Sequence, residues 1–231
     1  MDYSAITQRL FEEKTCNIEN YSRKLVPTDK TILGVSIPKL RKIASTIPKE
    51  NILDFIQNYS EEYFEQLLLK GVAFSKVNSN DKNVLQIAEK FIGKINDWCV
   101  CDIFCQSFKY ARKHPREVFE FLKTLAKEND EFKQRVVAVI LLSHYIDDEY
   151  IDDMLALLTE LNCGKYYTDM AIGWAVATAF AKQRDATYKF IISGKLTLNQ
   201  YKISVKKMRE SFRISQEDKD YFRDFKYEQK N

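Results

Sequence analysis

The chain has 231 residues, 45% of them hydrophobic and 30% charged, a balance that suits a soluble globular protein built on one large core or on an array of small repeats. Six glycines and four prolines fall well short of the roughly 12% that an average protein carries, which argues against a turn-rich all-β sandwich and for long helices on short connections. The longest apolar run, Val136 to Leu142, is far shorter than the roughly 18 residues of a membrane helix.

The start, Met1-Asp2-Tyr3-Ser4, lacks a charged leader followed by an apolar stretch, so no signal peptide is expected. Five cysteines without disulfide-like spacing suit a reducing compartment, and a cytoplasmic location is predicted. The net charge is +3, but it is unevenly spread: Lys182 to Arg213 holds nine Lys or Arg against two acids, and Ser143 to Gly164 holds six acids and no Lys or Arg. Such a chain can present a positive face to a polyanion, although solvated helix faces explain the same pattern.

Helical periodicity runs nearly end to end. Apolar residues cluster at 54–56, 63–69 and 84–91. From Glu117 to Ala126 they fall at Val118, Phe119, Phe121, Leu122 and Leu125, a period near 3.6. Pro38 and Pro115 sit where a first helical turn tolerates a missing N–H. Asn96 or Asp97 can cap a helix beginning at Trp98, and Asp130 can cap the next long one. Ser215 with Asp218 resembles a capping box. Val136 to Leu142 is assigned to a buried helix, because its flanks are helical and no hairpin turn is near.

About fourteen helices are expected, mostly in pairs over 50–77, 81–110, 115–144, 149–181 and 184–209. The predicted fold is all-α, a single domain over 1–231: an α-solenoid of HEAT-like repeats with a concave DNA-binding groove. In such stacks the second helix of each pair lines the concave side. Unusual polar or aromatic residues should then recur in successive second helices.

They do recur. Trp98 and Asp102 are four apart and share a helix face. Arg135 follows Asp102 by 33 residues and Trp174 follows Arg135 by 39, each about one repeat further on. Trp98 and Trp174 are the chain's two tryptophans.

The segment Asn96-Asp97-Trp98-Cys99-Val100-Cys101-Asp102 resembles the Trp-x-x-x-Asp motif of AlkD-type alkylpurine DNA glycosylases. Arg135 is similar to that family's arginine at the head of the next repeat, and Ala171-Ile172-Gly173-Trp174 to its second tryptophan motif. Leu33-Gly34-Val35 with Pro38-Lys39-Leu40-Arg41 resembles its N-terminal signature. Lys206-Lys207-Met208-Arg209-Glu210-Ser211 is similar to the ending of many short members. No motif is specific alone; their order and spacing are. The resemblance implies hydrolysis of the N-glycosidic bond of N3- or N7-alkylated purines in duplex DNA, without a base-flipping pocket.

Such a purine already carries positive charge and leaves without a strong general acid. The resemblance implies that Asp102 stabilises the oxocarbenium-like sugar and orients water. It gives Trp98 and Trp174 the role of packing on the deoxyribose, and Arg135 that of holding a backbone phosphate. Lys206, Lys207, Arg209 and Arg213 are further candidates for phosphate contacts. The chain departs from the pattern at Asp169-Met170 and at Ala177, where relatives often carry basic residues, and at Cys99 and Cys101. Fewer basic groups imply weaker phosphate binding.

Each residue also has a plainer reading. Helical tryptophans are usually packing, a lone helical Asp is often a surface group or a cap, and Arg135 could pair with Glu131 one turn earlier. Lys206, Lys207 and Arg209 could belong to a solvated terminal helix. Cys99, Cys101 and Cys105 cannot place tetrahedral ligands on one helix face and read as small buried residues. His114 and His144 fall in no nucleophile or zinc motif. No metal and no cofactor are expected. The predicted partner is double-stranded DNA containing alkylated purines, bound by a monomer with no membrane and no obligate protein partner. The alternatives are a non-catalytic DNA-binding module of helical repeats and a protein scaffold.

Overall fold

The computed structural model describes residues 2–161 and 164–230, and these fold into helices joined by short connections. The one β-type pairing among them is a single bridge between Thr31 and Tyr63. No helix is long and apolar enough to cross a membrane. Contacts cluster into two compact units, Met1–Val118 and Phe119–Asn231.

The first unit contains α1 (Tyr3–Glu12), α2 (Cys16–Leu25), α3 (Ile37–Ser45), α4 (Ile52–Asn58), α5 (Phe64–Ala73), α6 (Val84–Ile92), α7 (Trp98–Ser107) and the short α8 (Tyr110–Lys113). Helix α5 lies between α3 and α7, while α4 packs on α5 and α6. The expected starts are present: Pro38 sits in the first turn of α3, and the Asp97 carboxylate caps α7 by accepting from the N–H groups of Cys99 and Val100 at 2.8 and 2.9 Å.

Two buried charges organise this unit. The Glu65 carboxylate accepts from the backbone N–H groups of Leu33, Gly34 and Val35 at 2.9, 2.8 and 3.2 Å. The Leu33-Gly34-Val35 segment is thus a backbone cradle for a buried carboxylate, whose desolvation it offsets. Gly34 has φ +84°, and a Cβ there would meet the Thr15 carbonyl at 2.3 Å. Lys70, on α5 and buried, pairs with Glu61, which also receives Lys94 at 2.7 Å. Burial holds the Lys70 amine below its usual range.

Helix α9 (Pro115–Ala126) carries the chain into the second unit, which continues with α10 (Glu131–His144), α11 (Ile151–Thr159), α12 (Tyr166–Lys182), α13 (Arg184–Ile192), α14 (Leu198–Glu210) and α15 (Gln216–Asp224). Here α12 is flanked by α10 and α14, α11 packs on α13, and α15 closes on α14. Each unit, taken by itself, has the two-row stacking of helical pairs expected of an α-solenoid.

The apolar run Val136 to Leu142 is the buried heart of α10, as read from sequence. Asp130 caps that helix through the Lys133 N–H at 2.8 Å. Each such branched side chain taken fully out of water contributes roughly 1.5–3 kcal/mol.

Helices α12 and α14 come closest at Gly173, where an added Cβ would lie 2.4 Å from Ile203 Cγ2 and 3.1 Å from its backbone carbon. Asp169 pins the same pair, accepting from Asn199 Nδ2 at 2.6 Å and Gln200 Nε2 at 3.0 Å. At α15 the Ser215 hydroxyl accepts from the Asp218 N–H. The Asp218 carboxylate meets that hydroxyl and the Arg184 guanidinium at 2.6 and 3.0 Å. The expected capping box is therefore half-formed, and its acid is spent on tying α15 to α13.

Gly173→Ala is expected to lower stability by about 1–3 kcal/mol through overpacking. Gly93→Ala, where a Cβ meets nothing nearer than 3.7 Å, should not. Thermal midpoints of the two variants test the contrast, and equal midpoints would remove the close-approach argument. The Arg184 guanidinium, opposed by partial burial and helped by the Ser215 hydroxyl, holds the Asp218 carboxyl below its ordinary range. The stability that it contributes is full above the ordinary carboxylate pKa of about 4 and is lost as pH falls through the lowered value. Asp218→Asn should therefore lower the midpoint at neutral pH and flatten its acid limb in a pH series.

Candidate functional site

In the first unit, Trp98 and Asp102 stand one turn apart on α7, as their spacing predicts. Asp97, fully buried at the cap, sets the start of the helix and so the direction of both side chains. Trp98 is half-buried, and its indole N–H donates to the Leu25 carbonyl at the end of α2 at 3.2 Å. One ring edge is thereby fixed. Asp102 is 9% exposed on the same helix.

Burial, helped by the charges of Asp97, Asp102 and Glu65, pushes the Cys99 thiol up to about 12. It is protonated at neutral pH and serves neither as nucleophile nor as thiolate ligand. Cys101 and Cys105 are buried free thiols. Among the described residues no group of His, Cys, Asp or Glu is arranged to hold a metal.

In the second unit, a cleft of about 560 Å³ opens over α12 and α14, lined by Arg135, Met170, Trp174, Lys207, Phe212 and Arg213 among others. Sequence spacing and packing explain the convergence. Gly173 lets α14 lie against α12 at Ile203, and Lys207, one turn beyond Ile203, lines the same cleft as Trp174. Ala177, Thr178 and Ala181 form a wall of small side chains that keeps the space open.

Arg135 is 6% exposed, and its Nη1 donates to the Tyr167 carbonyl at 2.9 Å, with the guanidinium 6.0 Å from the Tyr167 ring centroid. Glu131, its neighbour one turn earlier, accepts from the Tyr167 N–H at 2.7 Å. Both charges of that turn thus secure the start of α12. Arg135 anchors α10 to α12 as well as lining the cleft.

The basic residues read from sequence divide. Lys207 lines the cleft and pairs with Glu210 at 2.9 Å. Arg213 lines it too, and no hydrogen bond or ion pair engages its guanidinium among the described residues. Lys206 and Arg209 are exposed on α14 and are not among the lining residues. The structure thus brings Arg135, Trp174, Lys207 and Arg213 together in one unit, and places Trp98 and Asp102 together in the other.

Several lining residues lie outside the set expected from sequence, Phe212 and Met170 among them. Phe212 is wholly exposed at the lip; its only sequence signal is an aromatic in the polar turn Glu210-Ser211-Phe212-Arg213, outside any helical periodicity. Met170 was noticed only as a departure and proves to line the cleft. Ala177, the second departure, lies on its wall. An indole, an exposed phenyl ring and guanidinium groups around one opening can receive a flat aromatic and a nearby phosphate.

Residues 6–210 match the family model described as DNA alkylation repair enzyme. The chain belongs to that family. This makes it a DNA repair protein whose substrate is DNA. No curated protein matches the sequence significantly. The matched span includes all of α7, α10, α12 and α14 and ends before Phe212 and Arg213.

Because Arg135 is itself buried and bonds the Tyr167 carbonyl, Arg135→Ala is expected to cost about 2 kcal/mol of stability. Arg213→Ala should cost nothing measurable. Urea denaturation of both separates an anchoring arginine from a free one, and a shared loss would show that Arg213 is also structural.

Proposed function

We propose that this member of the family is a monofunctional DNA glycosylase of the AlkD type. It hydrolyses the N-glycosidic bond of N3- or N7-alkylated purines, bulky adducts included, in duplex DNA without drawing the base into a pocket. The observation that carries the proposal is the second-unit cleft, where Trp174 lies among Arg135, Lys207 and Arg213. A polyanionic substrate with flat rings suits that lining better than an apolar peptide does.

The chemistry asks little of the protein. The alkylated purine is cationic and leaves as a neutral base with the electron pair of the C1′–N bond. The sugar is left with oxocarbenium character, water adds to C1′, and its proton passes to solvent. Asp102 supplies the negative charge that stabilises the sugar cation and orients the water. Its buried position strengthens that attraction, because charges interact more strongly away from bulk water.

Trp98, with one edge fixed on Leu25, presents a preset ring for packing on deoxyribose, and Trp174 offers an aromatic face within the second-unit cleft. Arg135, held at the cleft by the Tyr167 carbonyl, is the candidate for holding a backbone phosphate. Arg213 and Lys207 add to phosphate binding, as do Lys206 and Arg209 from the exposed face of α14. The protein acts as a monomer in the cytoplasm and requires neither metal nor cofactor.

The uncharged residues lining the cleft at Met170 and Ala177 favour a second reading in which the chain binds DNA and excises nothing. Incubation with duplex DNA carrying 7-methylguanine or 3-methyladenine, with released base measured, decides between them. Wild-type protein should release base, and Asp102→Asn should lose at least about 100-fold in rate, the scale of one transition-state charge contact, while DNA affinity stays within a few-fold. Unchanged excision in that variant would remove Asp102 from the mechanism. Binding without release by the wild type would favour the binding-only reading.

A further inference from the structure

Phe212 is a large apolar side chain with 104% of its surface exposed. A single exposed aromatic is unremarkable on most surfaces. This one differs in its setting. It lines the Trp174 cleft, the guanidinium of its neighbour Arg213 has no hydrogen-bond or ion-pair partner among the described residues, and Arg135 and Lys207 line the same opening. The turn that carries it is anchored on both sides. Met208 is fully buried and its carbonyl accepts from the Ser211 N–H at 3.1 Å; Ile214 is buried, and the Ser211 hydroxyl accepts from the Arg213 N–H at 3.2 Å. Beyond the turn, α15 is tied to α13 by Arg184 and Asp218. The ring therefore projects from a fixed support, so little conformational freedom is lost when it meets a partner.

We propose that Phe212 is a stacking wedge for DNA, inserting its ring against a nucleobase while Arg213 engages the adjoining phosphate. The proposal rests on the DNA-binding reading of the cleft but not on catalysis. A flat apolar ring flanked by cations complements a base step with its backbone, and apolar side chains placed in this way unstack base steps in other DNA complexes. The segment lies beyond residue 210, where the family match ends. It also faces the wall where Ala177, Thr178 and Ala181 leave space.

The test uses the full chain and a duplex carrying a tetrahydrofuran abasic analogue with 2-aminopurine as the neighbouring base. Affinity is read by fluorescence anisotropy over a salt series. Wild-type binding should raise the 2-aminopurine emission as the step unstacks. Phe212→Ala should lose that rise and bind about 5- to 100-fold more weakly, the range for loss of one base–aromatic stack. The slope of log affinity against log salt should not change. Phe212→Tyr should restore both signals. Arg213→Ala should instead reduce the slope by about one phosphate contact.

Wild-type affinity and emission in Phe212→Ala would overturn the wedge and leave the glycosylase reading standing. A loss of affinity that comes with a changed slope would also overturn it, since the defect would then be electrostatic. Absence of DNA binding by the wild type would sink the wedge together with the DNA reading of the cleft. Binding without base release would leave the wedge intact and remove only catalysis.

Discussion

The second unit depends on a single close approach of two helix backbones. At Gly173 there is no room for even a methyl group before Ile203 is met, and Asp169 ties the same two helices one turn earlier through Asn199 and Gln200. Contacts this close are possible only where a side chain is missing, and they leave α12 and α14 little freedom to slide. The register they set brings Lys207 and the Ser211–Arg213 turn to the cleft that Trp174 lines. The glycine in Ala171-Ile172-Gly173-Trp174 thus supports the cleft through helix packing. A sequence motif centred on a tryptophan turns out to include the packing that positions it.

Much of the fold was legible in the sequence because helix periodicity and capping are local. Asp97, Asp130 and Pro115 start helices where their chemistry says they should, and the β-branched run in α10 is a buried helix because its flanks are helical. Ser215 and Asp218 show the limit of that approach. The serine caps α15 as expected, but the acid turns to Arg184, an interaction between residues 34 apart in sequence that no local pattern contains. Glu65 is a similar case. Nothing near it in sequence reveals that its carboxylate collects three N–H groups from the Leu33–Val35 segment, and the signature resemblance of that segment did not disclose its structural task.

The site was legible to a different degree in each unit. On α7 the four-residue spacing of Trp98 and Asp102 was enough, since helical geometry alone places them on one face. For Arg135 the two readings compared in sequence, phosphate contact or ion pair with Glu131, both omitted what the structure shows most directly, a bond to the Tyr167 carbonyl. Backbone acceptors leave no trace in a sequence. Among the basic residues of the tail, charge alone could not separate Lys207 and Arg213, which line the cleft, from Lys206 and Arg209, which do not. Residues 206 and 207 are adjacent and so lie about 100° apart around α14, and only the contact of that helix with α12 decides which of them faces inward. Phe212 was passed over for the same reason, because an exposed aromatic in a turn has no periodicity to mark it.

The two departures at Met170 and Ala177 acquire a physical meaning once the cleft is seen. Positions that imply a loss of cations when read as a list of residues are, in space, the walls opposite a turn that supplies both a cation and an aromatic ring. Charge removed from α12 is not charge removed from the cleft, since Arg213 lines the same opening from beyond the matched family span. The exchange is not neutral, however. A guanidinium rooted in α12 would be held by the most constrained helix of the unit, whereas Arg213 is held by a turn whose stability depends on Met208, Ile214 and the Arg184–Asp218 pair. Under the proposed function, DNA affinity is therefore coupled to how firmly α15 is docked. Acid that protonates Asp218 would weaken the grip on DNA through that docking.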